Sequence, residues 1–144
     1  FLEKIGVTFQ RKSKTKTLMK HLFLAALAVM GLSAMAQTMT VTGTIYHPGG
    51  RLSWRTASGD KIDNEKLKKR EIKWMAVTKD ILDAGFKMND TVVVECESAP
   101  QLNGKWVIKD RMSRRLRKKV DFLVARGDSY GMHGRTSLTI SKVK

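Results

Sequence analysis

Apolar and polar residues alternate over residues 40–46, where Val41, Gly43 and Ile45 interleave with threonines. A period of two predicts a half-buried strand. His47-Pro48-Gly49-Gly50 breaks it. Residues 51–64 form a polar loop with one aromatic, Trp54, and residues 65–71 are charged and expected to be solvated. Alternation resumes at residues 72–78, with Ile72, Trp74 and Ala76 on one side. Thr78 is placed to cap a single helical turn over residues 79–84, which Gly85 ends. The β-branched run at residues 91–97 predicts a third strand. Residues 98–104 carry turn residues suited to a hairpin, and residues 105–109 return from it. Asp121 stands where it would cap a short helix over residues 122–126, stopped by Gly127. Residues 135–144 set Leu138 and Ile140 against Ser and Thr, the pattern of a closing strand.

The pattern therefore predicts a mainly β domain of five or six strands and two short helices. That is the scale of a small closed or partly open barrel. Closure suits such a chain, because it leaves no strand edge unpaired.

The N-terminal part follows another grammar. Lys20 precedes an apolar run at residues 22–32, and Ala34-Met35-Ala36 supplies a small-x-small cleavage signature. Residues 19–36 are thus read as a secretory signal peptide, its apolar run too short for a usual membrane span. Cleavage would leave Gln37 first and place the domain at residues 37–144, exported to the periplasm or cell envelope. Residues 1–18 are read as an upstream extension ahead of a start at Met19.

The formal charge is +15 and the pI about 10.3. Residues 1–36 hold six of the 28 basic and one of the 13 acidic residues. The remaining 22 and 12 leave +10 on the domain itself. Such a charge favours encounters with polyanions, whether nucleic acid, anionic lipid or acidic wall polymers. Export, and the lack of a nucleic-acid-binding motif, put nucleic acid last. Cys96 is alone, so no internal disulfide forms, and it is expected to be a small buried residue in a strand. His47 and His133 join no ligand pattern, so neither metal nor cofactor is predicted.

The candidate chemistry gathers in residues 104–124. An apolar strand, Trp106-Val107-Ile108, runs to Asp110; a cationic run follows over residues 111–119, six of its nine residues basic; then comes Asp121. Ahead of it stand Arg55-Thr56-Ala57-Ser58-Gly59-Asp60 and Ala76-Val77-Thr78. In this order and spacing the pieces resemble the double-psi β-barrel domains of bacterial cell-wall proteins. Those include the rare-lipoprotein-A-like domains and the three-aspartate domains of lytic transglycosylases. The resemblance spans roughly residues 41–140. It implies a six-stranded double-psi barrel that acts on, or binds, peptidoglycan glycan strands.

Glycan cleavage needs a carboxylic acid to protonate the leaving oxygen. The resemblance implies Asp110 as acid/base, with Asp121 and Asp60 as partners and Thr56, Ser58, Thr78 and Arg111 as binding residues. Trp54, if exposed, is suited to stack on a sugar face. The sequence departs from the family's pattern at Thr78, where a His or Asp is usual, and at Met112-Ser113, where a Gly is usual. Three readings follow: a lytic transglycosylase, a non-catalytic peptidoglycan-binding module, or a basic secreted protein that binds polyanions at a wall or membrane surface. Against all three stands plain grammar, in which Asp110 caps a turn and Asp121 a helix.

Overall fold

The computed structural model describes residues 37–50 and 54–143. The signal-peptide and upstream-extension readings lie outside them. The chain forms β1 (Thr38–Tyr46), α1 (Asn64–Lys68), β2 (Trp74–Val77), α2 (Lys79–Asp83), β3 (Thr91–Glu95), a 3-10 turn at Pro100–Leu102, β4 (Gly104–Arg111), β5 (Lys119–Leu123) and β6 (Thr136–Lys142). The six strands close into a barrel in the order β1-β5-β2-β4-β3-β6. The expected mainly β barrel with two short helices is what forms. Two strand pairs, β1 with β5 and β2 with β4, run parallel; the other pairs are antiparallel.

Alternation fills the interior. Met75 and Val77, Val92 and Val94, Trp106 and Ile108, Val120 and Phe122, and Leu138 and Ile140 all point inward. The Trp106 and Phe122 rings meet edge to face with centroids 4.7 Å apart, and the indole N–H donates to the Leu102 carbonyl at 2.7 Å. The Ile72-Trp74-Ala76 side of β2 is the outer side. A second, smaller cluster lies there, with Ile62, Leu67, Ile72, Leu123 and Ala125 buried and Tyr46 and Trp74 packed against it.

Three local readings change. Residues 122–126 are not a helix behind an Asp121 cap. Asp121 sits mid-strand in β5, because Val120 and Phe122 fill the core on alternate positions. That segment supplies the sixth strand. The second helix forms instead in the charged stretch, where the Asp63 carboxylate accepts from the amides of Glu65 and Lys66 at 3.0 and 3.1 Å, and Leu67 is buried. The helix at Lys79–Asp83 does form after Thr78, but the Thr78 hydroxyl does not cap it. That hydroxyl accepts from the Lys119 amide at 3.2 Å.

Gly43 is required by packing. A Cβ there would stand 2.6 Å from Leu138 Cδ2 and 3.1 Å from Phe122 Cε2. Gly43→Ala is expected to cost about 1–3 kcal/mol in a urea melt, as overpacking does, and Leu138→Ala in the same chain should recover part of it.

Arg70 ties α1 to the loop ahead of β6. Its guanidinium donates to both Asp128 oxygens, at 2.8 and 2.7 Å, and lies 4.0 Å from the Tyr130 ring centre. The Arg70 bonds hold the Asp128 carboxyl down to about 2 from its ordinary 3.8. A depressed carboxyl stabilises the fold above its unfolded value, and that contribution is lost as pH falls toward the folded one. Asp128→Asn is therefore expected to cost at most about 2 kcal/mol near neutral pH, with the difference from wild type closing between about pH 4 and pH 2. Chemical melts across that window measure it.

Candidate functional site

A β-bulge positions the site. Met75 pairs with Ile108, but the next residue, Ala76, pairs with Asp110, so Lys109 is the extra residue on β4. Ile108 points into the core, and without the bulge Asp110, two positions on, would do the same. The bulge turns Asp110 onto the outer face instead. On the other side of β2, Ala76 pairs with Asp121, which in turn pairs with Thr44 of β1. A single row, Thr44–Asp121–Ala76–Asp110, thus runs across four strands. The two aspartates flank the smallest side chain in it, with their Cα atoms two strand spacings apart, roughly 10 Å.

Tyr46, one alternation beyond Thr44, reaches across this row. Its hydroxyl donates to Asp110 Oδ2 at 3.3 Å. Burial, followed by the charges of Asp110 and Asp121, pushes the phenol far above its usual range, so it remains a donor. Asp110 Oδ1 also accepts from the amides of Ala57 and Arg111 at 3.0 and 2.9 Å. Three donors therefore point at Asp110, and its role is that of acceptor.

Asp121 is placed differently. Its Oδ1 accepts from the Thr44 hydroxyl at 2.8 Å. Burial raises its carboxyl above the ordinary 3.8, and Asp110 raises it further; the Thr44 bond and nearby His47 oppose the shift without cancelling it. His47 is held by a 2.8 Å bond between Nδ1 and the Val124 carbonyl. Asp121 thus keeps its proton to higher pH than an ordinary aspartate does.

A groove of about 240 Å³ opens over the row. Tyr46, Ala76, Asp110 and Asp121 line it together with Arg111 at the end of β4 and Met112, Ser113 and Leu116 of the β4–β5 loop. The loop is fastened at both ends. The Met112 amide donates to the Val77 carbonyl at 3.0 Å, and the Lys118 amide to Asp80 Oδ2 at 2.9 Å.

The Thr-Ala-Ser-Gly loop packs against the bulge. The Ser58 amide donates to the Lys109 carbonyl at 3.1 Å, and the hydroxyls of Thr56 and Ser58 are 2.8 Å apart. The Ser58 hydroxyl donates in turn to Asp60 Oδ2, which also accepts from the Lys109 ammonium at 3.0 Å. These bonds, Ser58 first, hold the Asp60 carboxyl below its ordinary value.

Of the residues singled out in sequence, Asp110, Asp121 and Arg111 come together at the groove. Thr56, Ser58 and Asp60 support it from behind, through the Ala57 amide and Lys109. Thr78 is fully buried and serves the base of the loop. Trp54 is 44% exposed and is not among the groove-lining residues. Thr44 and Tyr46 were missed. They lie on the polar side of the alternating β1 pattern, the one sequence signal that could have pointed to them.

A larger depression of about 770 Å³ lies on the far side of the barrel, over Val94, Cys96, Asn103 and Leu138. It is lined by two carboxylates, Glu95 and Glu97, and Cys96 is buried there beside Ser98 and Thr136. The sequence-singled residues Asp110, Asp121 and Arg111 line the smaller groove and not this depression. Among the described residues no three His, Cys, Asp or Glu side chains gather as a metal would need.

No protein-family model matches the chain, and no curated protein matches it in sequence. Among solved structures it is similar to an apo expansin of Clavibacter michiganensis, with a TM-score of 0.52 and 11% identity. The match covers 75% of this chain and 51% of that one, so the chain spans about half the length of the expansin. At that identity the likeness is one of fold: the closed six-stranded barrel is of the expansin, double-psi-like kind.

Proposed function

We propose that the protein is an exported barrel that holds glycan strands of the bacterial cell wall in the groove over Ala76 and cuts them there. The observation that carries this is the row Thr44–Asp121–Ala76–Asp110, which sets two carboxyls of unlike surroundings on either side of a trough. The same pieces resemble the double-psi domains of rare-lipoprotein-A-like and lytic transglycosylase proteins, and the barrel fold agrees with that resemblance. Export is supported by the leader pattern of residues 19–36. Gln37, the residue after the expected cleavage and just ahead of β1, bonds to the barrel, its carbonyl accepting from the Lys142 amide at 2.9 Å.

The roles of the carboxyls exchange relative to the sequence expectation. Asp121, raised by burial, gives its proton to the glycosidic oxygen as the bond to the anomeric carbon breaks. Asp110, held by its three donors, faces the oxocarbenium-like carbon. In the reaction that the resemblance implies, the sugar's own 6-hydroxyl closes on that carbon, its proton passes to Asp110, and a 1,6-anhydro end results. Tyr46 fixes Asp110 for this role, and Thr44 fixes Asp121.

One observation favours a second reading, a binding module without catalysis. Thr78 occupies the position where the resembled domains carry a His or Asp, but it is not among the groove-lining residues and its hydroxyl accepts from the Lys119 amide. Ala76→Leu addresses binding under either reading, because it fills the trough between the aspartates. Wild type is expected to pellet with purified sacculi at micromolar concentration and Ala76→Leu to remain in the supernatant, with both folded by circular dichroism. Equal pelleting of the two would remove the groove from the account.

A further inference from the structure

We propose that the cavity between α2 and the β4–β5 loop is a second subsite, which takes a carboxylate-bearing substituent of the glycan whose backbone lies over Ala76. The inference rests on the glycan reading of the groove and narrows its substrate class to acidic glycans. The cavity, about 440 Å³, is lined by Lys79, Leu82, Asp83, Arg111, Met112 and Arg114. Arg111 and Met112 also line the groove, so the two hollows meet along one wall. A chain lying over the aspartates passes this wall within reach of a single substituent.

The charges of the two hollows are opposed. The groove presents Asp110 and Asp121, with the shared Arg111 at its boundary with the cavity. The cavity presents Lys79, Arg111 and Arg114 against Asp83 alone, and Asp83 is already paired with Lys79 at 2.7 Å. Among the described residues neither the Arg111 nor the Arg114 guanidinium has a carboxylate partner. Guanidinium groups accept carboxylates through paired N–H donors, and the apolar sides of Leu82 and Met112 lower the local dielectric around such a pair. A carboxylate is repelled from the groove and drawn to the cavity, which fixes the register in which a strand can lie.

The cavity wall is also held in place before any ligand arrives. The Val77 carbonyl fixes Met112, Asp80 fixes Lys118, and the Thr78 hydroxyl fixes Lys119. Thr78, at the position where the resembled domains carry a His or Asp, and Asp80 two residues on are thereby positioning residues for the cationic loop. A pre-set wall loses little freedom on binding.

The test is calorimetric titration of the full chain with three probes: a neutral hexasaccharide of N-acetylglucosamine, a hexasaccharide in which alternate sugars carry a lactyl carboxylate, and the latter with its carboxyls reduced to alcohols. The acidic probe is expected to bind wild type at least ~10-fold more tightly than the other two. In the double variant Lys79→Gln, Arg114→Gln the preference should fall to within about 2-fold. Equal affinity for all three probes, or a preference that survives the double variant, would overturn the subsite while leaving the groove reading intact. No binding of any probe would remove both. A polyphosphate of matched charge serves as control. If it binds as tightly as the acidic hexasaccharide, the cavity is a general anion surface and the subsite is rejected.

Discussion

Replacing Asp121 by Asn is expected to cut the release of soluble fragments from wall sacculi by about 10²–10⁴-fold, the usual loss when a positioned general acid is removed. The amide keeps the shape and can still accept from the Thr44 hydroxyl, so binding to sacculi should persist. The same variant carries a stability signature. A carboxyl raised above its ordinary value binds its proton more tightly in the folded state than in the unfolded one. That contribution is full below the unfolded value and is lost as pH rises through the folded one. Asn does not titrate, so Asp121→Asn should gain stability relative to wild type as pH rises from about 4, the unfolded value, through the folded one. Lost cleavage together with gained stability at neutral pH is the mark of a group whose burial serves chemistry. Asp110→Asn should behave differently. It would turn an amide nitrogen toward the Ala57 and Arg111 N–H groups or the Tyr46 hydroxyl, loosening the Thr-Ala-Ser-Gly loop.

The second large effect concerns the barrel. Trp106→Ala is expected to cost about 3–5 kcal/mol, against a total stability of about 5–15 kcal/mol for domains in general. The indole is fully buried, packs against Phe122 and Tyr130, and satisfies the Leu102 carbonyl of the 3-10 turn. Removing it leaves a cavity on the inner side of β4, two residues before the bulge partner Ile108. A guanidinium melt reads the loss, and a cost under about 1 kcal/mol would mean that the core is not organised around this residue.

The strands that the sequence showed clearly are those with one wet face. The alternation of Val41, Gly43 and Ile45 with threonines, and of Leu138 and Ile140 with Ser and Thr, is a direct record of an inside and an outside. β5 was hidden because it is covered on both faces near its end. Phe122, Leu123 and Val124 are all fully buried, two clusters meet there, and a short apolar run behind an aspartate reads equally as a capped helix. α1 was hidden because a helix with one buried residue, Leu67, shows almost no hydrophobic period. Asp110 and Asp121 were legible as candidates, but their roles were not. The surroundings of Asp110 follow from the bulge at Lys109, and those of Asp121 from its burial in β5 beside Thr44. A one-residue bulge leaves no signature in the alternation, yet it alone decides whether Asp110 faces the core or the groove. Tyr46 could be read only as a strand residue, since its partner lies three strands away around the barrel.

The most direct test of the central claim is mass spectrometry of the fragments that the protein releases from purified sacculi. Wild type is expected to release anhydro-ended glycan fragments, and Asp121→Asn to release none while still pelleting with the sacculi. Equal release by both proteins, or a wild type that neither pellets nor releases fragments, would contradict the account.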